Sequence, residues 1–197
     1  MPNIHPMRIP GRWREGFVLD YHTLQSTYIG DDEYGHPKFD TKRSEVGELL
    51  YLLKYRSDSS VLSELVRTAA EFLRTWKPGV SLIIPVPPSR SGRPHQPVYL
   101  LAEALSKKLD IPVRADAVLK TKEVPELKNV YGYDERLRFL DGAHMVEPSV
   151  VSGQRVLLFD DLYRSGATMN AITALLYDQA HAAEVFAFAV TRTRSKS

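Results

Sequence analysis

The sequence predicts an α/β domain: a mainly parallel sheet flanked by helices, with a small antiparallel cap at its N-terminus. Three observations carry this reading. Short apolar runs at 81–84, 155–159 and 184–190 read as strands buried on both faces. Between them, apolar residues recur at three- and four-residue steps, the period of a helix with one buried face. Strands that alternate with helices in this way build a parallel sheet covered on both sides.

Taken in order, residues 1–45 stand apart from the rest, being aromatic and polar without a long apolar run. Residues 17–22 and 26–29 are strand material around the turn cluster Gly30-Asp31-Asp32-Glu33-Tyr34-Gly35, which is expected to form the cap, or hood. The core is expected over 46–197 in one domain. Ser44 is placed to cap a helix whose stripe is Val46, Leu49, Leu50 and Leu53. Ser59 or Ser60 opens the next, with Leu62, Leu65, Val66, Ala69 and Leu73 inward and Pro78-Gly79 as its stop. Residues 98–109 are helical, with Leu100, Leu101, Ala104 and Leu105 inward. Weaker strands are expected at 117–119 and 143–146, around a polar stretch at 120–141 that reads as a mobile loop with some helix. A helix over 169–177 precedes the last strand.

Composition narrows the chemistry. The 197 residues suit one domain with its own core. With 26 basic and 24 acidic side chains the net charge is +2, so no global field recruits nucleic acid. The basic run Arg192-Thr193-Arg194-Ser195-Lys196 reads as a solvated terminus. The absence of cysteine excludes disulfides, thiolate chemistry and cysteine-ligated metals, and fits a cytoplasmic protein. No stretch approaches the ~20 apolar residues of a membrane span, and Met1-Pro2-Asn3-Ile4-His5-Pro6 lacks the apolar run of a signal peptide.

The chemistry concentrates after the strongest strand. Val156-Leu157-Leu158-Phe159 runs into Asp160 and Asp161, and Gly166-Ala167-Thr168 then opens a helix. Gly166 lets backbone approach a ligand. The first amides of a helix have no intrahelical partners, and its dipole adds positive potential, so an anion is favoured there. Ser165 and Thr168 add hydroxyls, and Arg164 adds a charge. The adjacent carboxylates can accept hydrogen bonds from vicinal ribose hydroxyls and favour a nearby positive charge, whether Mg²⁺ or an oxocarbenium ion. An acid pair or a Ser/Thr cap alone is ordinary turn chemistry; in this order, together, they make a phosphate and ribose site.

This stretch resembles the signature with which type I phosphoribosyltransferases bind phosphoribosyl pyrophosphate (PRPP). The resemblance implies that Asp160 and Asp161 are catalytic, contacting the ribose hydroxyls and lying near Mg²⁺ that PRPP itself mainly holds. It implies that Arg164, Ser165, Gly166, Ala167 and Thr168 wrap the 5′-phosphate. Arg164 is a departure, standing where many members have threonine. A second element is Ile83-Ile84-Pro85-Val86-Pro87-Pro88-Ser89-Arg90, where prolines stop strand pairing. Pro87, Pro88, Ser89 and Arg90 are expected to receive pyrophosphate, with Arg93 in reach; the same segment also reads as a plain turn with solvated arginines. Lys120 and Lys122 are read either as a lid over pyrophosphate or as solvated charges. His22 reads as structural or exposed in preference to one that touches a base.

Pro85-Val86-Pro87, Gln96, the upstream Leu52-Leu53-Lys54-Tyr55-Arg56, and Arg136 with Gly142-Ala143-His144 resemble the ComF-type subfamily over about 46–191. Its cysteine-rich zinc segment has no counterpart here, and Pro94-His95 replaces the usual Phe-Asn. The resemblance implies transfer of a phosphoribosyl group from PRPP to a nitrogen acceptor, with Mg²⁺ as cofactor and a homodimer as the assembly. A non-catalytic PRPP or nucleotide sensor, related to DNA uptake, is the alternative it carries.

Overall fold

The structure, a computed structural model, describes residues 1–88, 96–122 and 132–194. Its centre is a five-stranded sheet of β1 (Met7–Arg8), β2 (Glu15–Tyr21), β9 (Glu184–Arg192), β8 (Arg155–Tyr163) and β5 (Leu82–Pro85), in that spatial order. The pairs β2·β9, β9·β8 and β8·β5 are parallel, and β1 is an antiparallel edge. β9 sits in the middle because Val185 to Val190 is an unbroken buried run, which only a strand covered on both faces tolerates.

Helices cover each face. On one side, α1 (Glu45–Tyr55), α2 (Leu62–Trp76) and α3 (Pro97–Leu109) bury Leu50, Leu65 and Leu101 against Leu19, Leu157 and Phe188. On the other, α6 (Ala167–Asp178) packs Met169, Ile172 and Leu176 against Val18, Leu158 and Ala187. The expected stripes of α1 and α2 lie on the buried faces, with Leu49 and Leu62 only partly buried. In α3 the buried face is Val98, Leu101, Ala102 and Leu105, while Leu100 and Ala104, expected inward, are half-buried. Ser44 caps α1, accepting from Gly47 N at 2.9 Å. At the next start it is Asp58, not Ser59 or Ser60, whose side chain accepts from Ser60 N and caps a short 3₁₀ turn ahead of α2.

Two expectations change. The strand expected at 17–22 within the cap is β2, an interior strand of the central sheet, with Phe17 opposite Phe188 and Val18 opposite Ala189. Val18 and Leu19 are fully buried, and the parallel pairing with β9 is what buries them. Only the exposed hairpin of β3 (Thr23–Asp31) and β4 (Pro37–Arg43) forms a separate antiparallel sheet in that region. The weaker strands β6 (Val118–Lys120) and β7 (His144–Val146) pair with each other, outside the central sheet. Within the polar stretch between them lies α4 (Tyr133–Leu140).

Close backbone packing sets α1 at the carboxyl end of β2. A Cβ on Gly47 would lie 2.2 Å from the carbonyl oxygen of His22, so no side chain fits there. Ser44 Oγ also donates to Tyr21 O at 2.5 Å. Residues seven apart share a helix face two turns on, so the contact at Gly47 turns Lys54 toward the same edge of the sheet. At the opposite edge, Arg155 pairs with Glu184, as does Arg14, and donates to Pro78 O at 2.7 Å and Gly79 O at 2.8 Å. That edge is a structural clamp.

Candidate functional site at the carboxyl end of the parallel strands

β8 does not stop at Phe159. It stays in register with β9 through Asp160 opposite Ala189, Leu162 opposite Thr191 and Tyr163 opposite Arg192. The acids therefore belong to the strand rather than to a loop, and the turn shortens to Arg164, Ser165 and Gly166. Successive side chains of a strand leave opposite faces, so Asp160 and Asp161 diverge, one on each side of the sheet.

Asp161 is on the side of α1. Its Oδ1 accepts from Lys54 Nζ at 2.8 Å, with only 14% of the lysine side chain and 12% of the aspartate exposed. Asp160 accepts from the amides of Asp161, at 2.8 Å, and Leu162. Its carboxyl is nonetheless raised to about 7, first by desolvation and then by the charge of Asp161, with Lys54 opposing. The pair thus differs in character: Asp161 is held by a cation, and Asp160 takes up a proton readily.

Gly166 has φ +75 and is the N-cap of α6, and as a glycine it brings no capping side chain of its own. A Cβ there would come within 2.6 Å of Tyr163 Oη, so the turn closes only around glycine. Ser165 Oγ lies 3.4 Å from Ala167 N. Gly166 and Ala167 are buried, Ser165 and Thr168 half-buried, and Arg164 exposed. The arrangement leaves the start of a twelve-residue helix open to an anion. Asn170 braces it, donating to Gly166 O at 3.0 Å and to Tyr133 Oη at 3.2 Å and accepting from Arg12 N at 2.7 Å.

The second element lies alongside. Pro85 is opposite Phe159, and Val86 N donates to Phe159 O at 2.8 Å, so the buried Pro87 and half-buried Pro88 flank the acid pair's strand. Ser89, Arg90 and Arg93 lie outside the described residues. Lys120 ends β6 opposite His144, and Lys122 Nζ donates to Asp141 O at 2.5 Å across the base of the polar stretch. Residues 123–131, in the middle of the expected loop, also lie outside the described residues.

Two participants were not foreseen as site residues. Lys54 entered only as part of a sequence resemblance, yet it contacts Asp161 directly. His22 is half-buried at the same edge, its Nδ1 3.4 Å from Thr191 Oγ1. Burial first, then Lys54 and Arg43, push its imidazole down to about 4 against the pull of Asp161, so it is neutral at neutral pH. Among the described residues no group of three or more His, Asp or Glu side chains is placed to hold a metal. Two carboxylates at a strand end do suit a Mg²⁺ whose other ligands are waters and substrate phosphate oxygens.

No protein-family model and no curated protein matches the chain. Solved structures do. Adenine phosphoribosyltransferase from Trypanosoma brucei, in complex with AMP, pyrophosphate and ribose-5-phosphate, aligns at TM-score 0.51 and 11% identity, over 97% of this chain and 87% of that one. Glutamine PRPP amidotransferase from B. subtilis, complexed with ADP and GMP, aligns at TM-score 0.51 and 18% identity, over 80% of this chain. The aligned region is 34% of the amidotransferase chain. At such identities the likeness concerns architecture: this chain has the α/β fold of the type I phosphoribosyltransferases.

Proposed function

We propose that the protein binds Mg²⁺–PRPP and transfers its phosphoribosyl group to a nitrogen acceptor, a nucleobase or similar amine, releasing pyrophosphate. The observation that carries this is the β8–α6 junction: an acid pair at the end of a central strand, then an αL glycine opening a helix.

The roles proposed for the residues around it are these. Arg164, Ser165, Gly166, Ala167 and Thr168 anchor the 5′-phosphate, with the first amides of α6 as donors. Asp160 and Asp161 accept from the ribose hydroxyls. Bound Mg²⁺ would neutralise pyrophosphate oxygens, with Asp160 and Asp161 reaching it through water. As the bond between C1 and pyrophosphate breaks, its electron pair leaves with pyrophosphate, and positive charge develops on the ribose ring. The two carboxylates stabilise that charge, and the acceptor nitrogen bonds to C1 and releases its proton to solvent water. Pro87, Pro88, Ser89 and Arg90 would receive the leaving pyrophosphate, and Lys120 and Lys122 serve as lid candidates. The protein contributes position and field rather than covalent chemistry. A cytoplasmic homodimer fits this role.

Pyrophosphate release tests the proposal. With Mg²⁺–PRPP and a panel of purine and pyrimidine bases, at least one acceptor should give turnover at about 1 s⁻¹ or faster, within the range of ordinary enzymes. PRPP binding with no release for any acceptor would favour the sensor reading instead.

A further inference from the structure

The ion pair between Lys54 and Asp161 has no evident part in holding the fold together. A mostly buried pair is weak evidence of stabilisation, because desolvation offsets its attraction. α1 is already fixed by Leu50 and Leu53 in the core, by its Ser44 cap and by the close approach at Gly47. Yet the chain folds so that a lysine from one helix meets, 107 residues later, the second acid of the candidate ribose site.

Charge placement suggests what the contact does. Although the two carboxylates leave opposite faces of β8, the charge of Asp161 acts on Asp160, and negative potential concentrated at one strand end attracts a divalent cation. Lys54 sets a positive charge 2.8 Å from one of them. The oxygen it occupies, Asp161 Oδ1, is one that a ribose hydroxyl would claim. Arg43 and Arg164 lie near enough to His22 to act on the same edge electrostatically.

We propose that Lys54 is a positioning residue that acts through Asp161: in the unliganded protein it stands in for the cation of the ligated state and keeps the acid pair from collecting a divalent ion before the sugar phosphate arrives. When PRPP brings its own Mg²⁺, the ammonium gives up its bond to Asp161 Oδ1, and the carboxylate turns to the ribose. This inference rests on the proposed reading of the acid pair as the ribose site.

The test is a titration of Mn²⁺, followed by electron paramagnetic resonance at pH 8, into the whole protein without PRPP. Wild type should bind Mn²⁺ at Asp160 and Asp161 only weakly. Lys54→Met and Lys54→Gln should each bind one ion at least about tenfold more tightly than wild type, the scale set by one charge at ion-pair distance. Lys54→Arg, which restores the cation, should return to wild-type behaviour, and Lys54→Met with Asp161→Asn should lose the new site. Tight Mn²⁺ binding by wild type, or folded Lys54→Met and Lys54→Gln no tighter than wild type, would overturn the inference. Calorimetry of Mg²⁺–PRPP on wild type is run beside it. Failure there would sink the functional reading without touching the manganese result, so the two failures are told apart.

Discussion

Replacing Asp160 and Asp161 together with asparagine is expected to abolish turnover and reduce PRPP affinity by at least about a hundredfold. Each carboxylate makes charge-assisted hydrogen bonds, worth about 1.5–3 kcal/mol apiece, that an amide makes only weakly. The single Asp160→Asn variant separates this loss from misfolding through the pH dependence of stability. The Asp160 carboxyl is raised to about 7 in the folded chain, above its value when unfolded. Between those limits the folded protein holds a proton that the unfolded chain has released. Wild-type stability therefore falls as pH rises through that window, and above it the cost of the ionised, desolvated carboxylate is fully present. An asparagine carries no such cost and can still accept from the amides of Asp161 and Leu162. Asp160→Asn should gain about 1–2 kcal/mol at pH 8, on the order of 5 °C in melting temperature, and nothing at pH 3. Thermal melts at the two pH values check this. A site residue that destabilises the fold it sits in is the signature of selection for binding or catalysis over stability.

Gly166→Val should be the most damaging single change in the phosphate loop. The left-handed conformation alone costs an L side chain about 1–2 kcal/mol. The new Cβ would also drive against Tyr163 Oη, placed 2.6 Å away. Tyr163 has little freedom to retreat, because its ring meets Trp13 edge-on at 6.4 Å and its hydroxyl donates to Pro10 O at 3.3 Å. The expected result is a loss of about 2–4 kcal/mol in stability together with at least about tenfold weaker binding of PRPP, seen by denaturant titration and calorimetry. Unchanged affinity in this variant would mean that the start of α6 does not hold the phosphate.

The β8–α6 junction was legible because everything it needs is local. A strand, an acid pair, a glycine and a helix start follow one another within a dozen residues, and each has a fixed physical meaning in that order. The helix stripes of α1 and α2 were legible for the same reason, whereas that of α3 was read one residue off at Leu100 and Ala104. What escaped the sequence was non-local. Nothing in Glu15–Tyr21 says that its partner is β9, at the other end of the chain, so an interior strand read as part of a cap. The pairing of β8 with the other side of β9 carries β8 past Phe159, which is why the acids lie in the strand. Lys54 was invisible as a site residue because a lysine in the last turn of a helix is ordinarily a solvated charge complementing the dipole. Only the close packing at Gly47 turns it inward. His22 likewise reads as a structural or exposed histidine from the sequence, because nothing local says that the end of β2 lies beside β9.

Binding of the proposed substrate by the unmodified protein is the most direct test of a phosphoribosyl site at the β8–α6 junction. Calorimetric titration of PRPP with Mg²⁺ into wild type should show saturable binding at one site per chain, with a Kd between roughly 1 µM and 1 mM, the span of ordinary substrate sites. A folded wild-type protein that takes up no PRPP across that range would contradict the assignment of the acid pair and the glycine turn as a phosphoribosyl site.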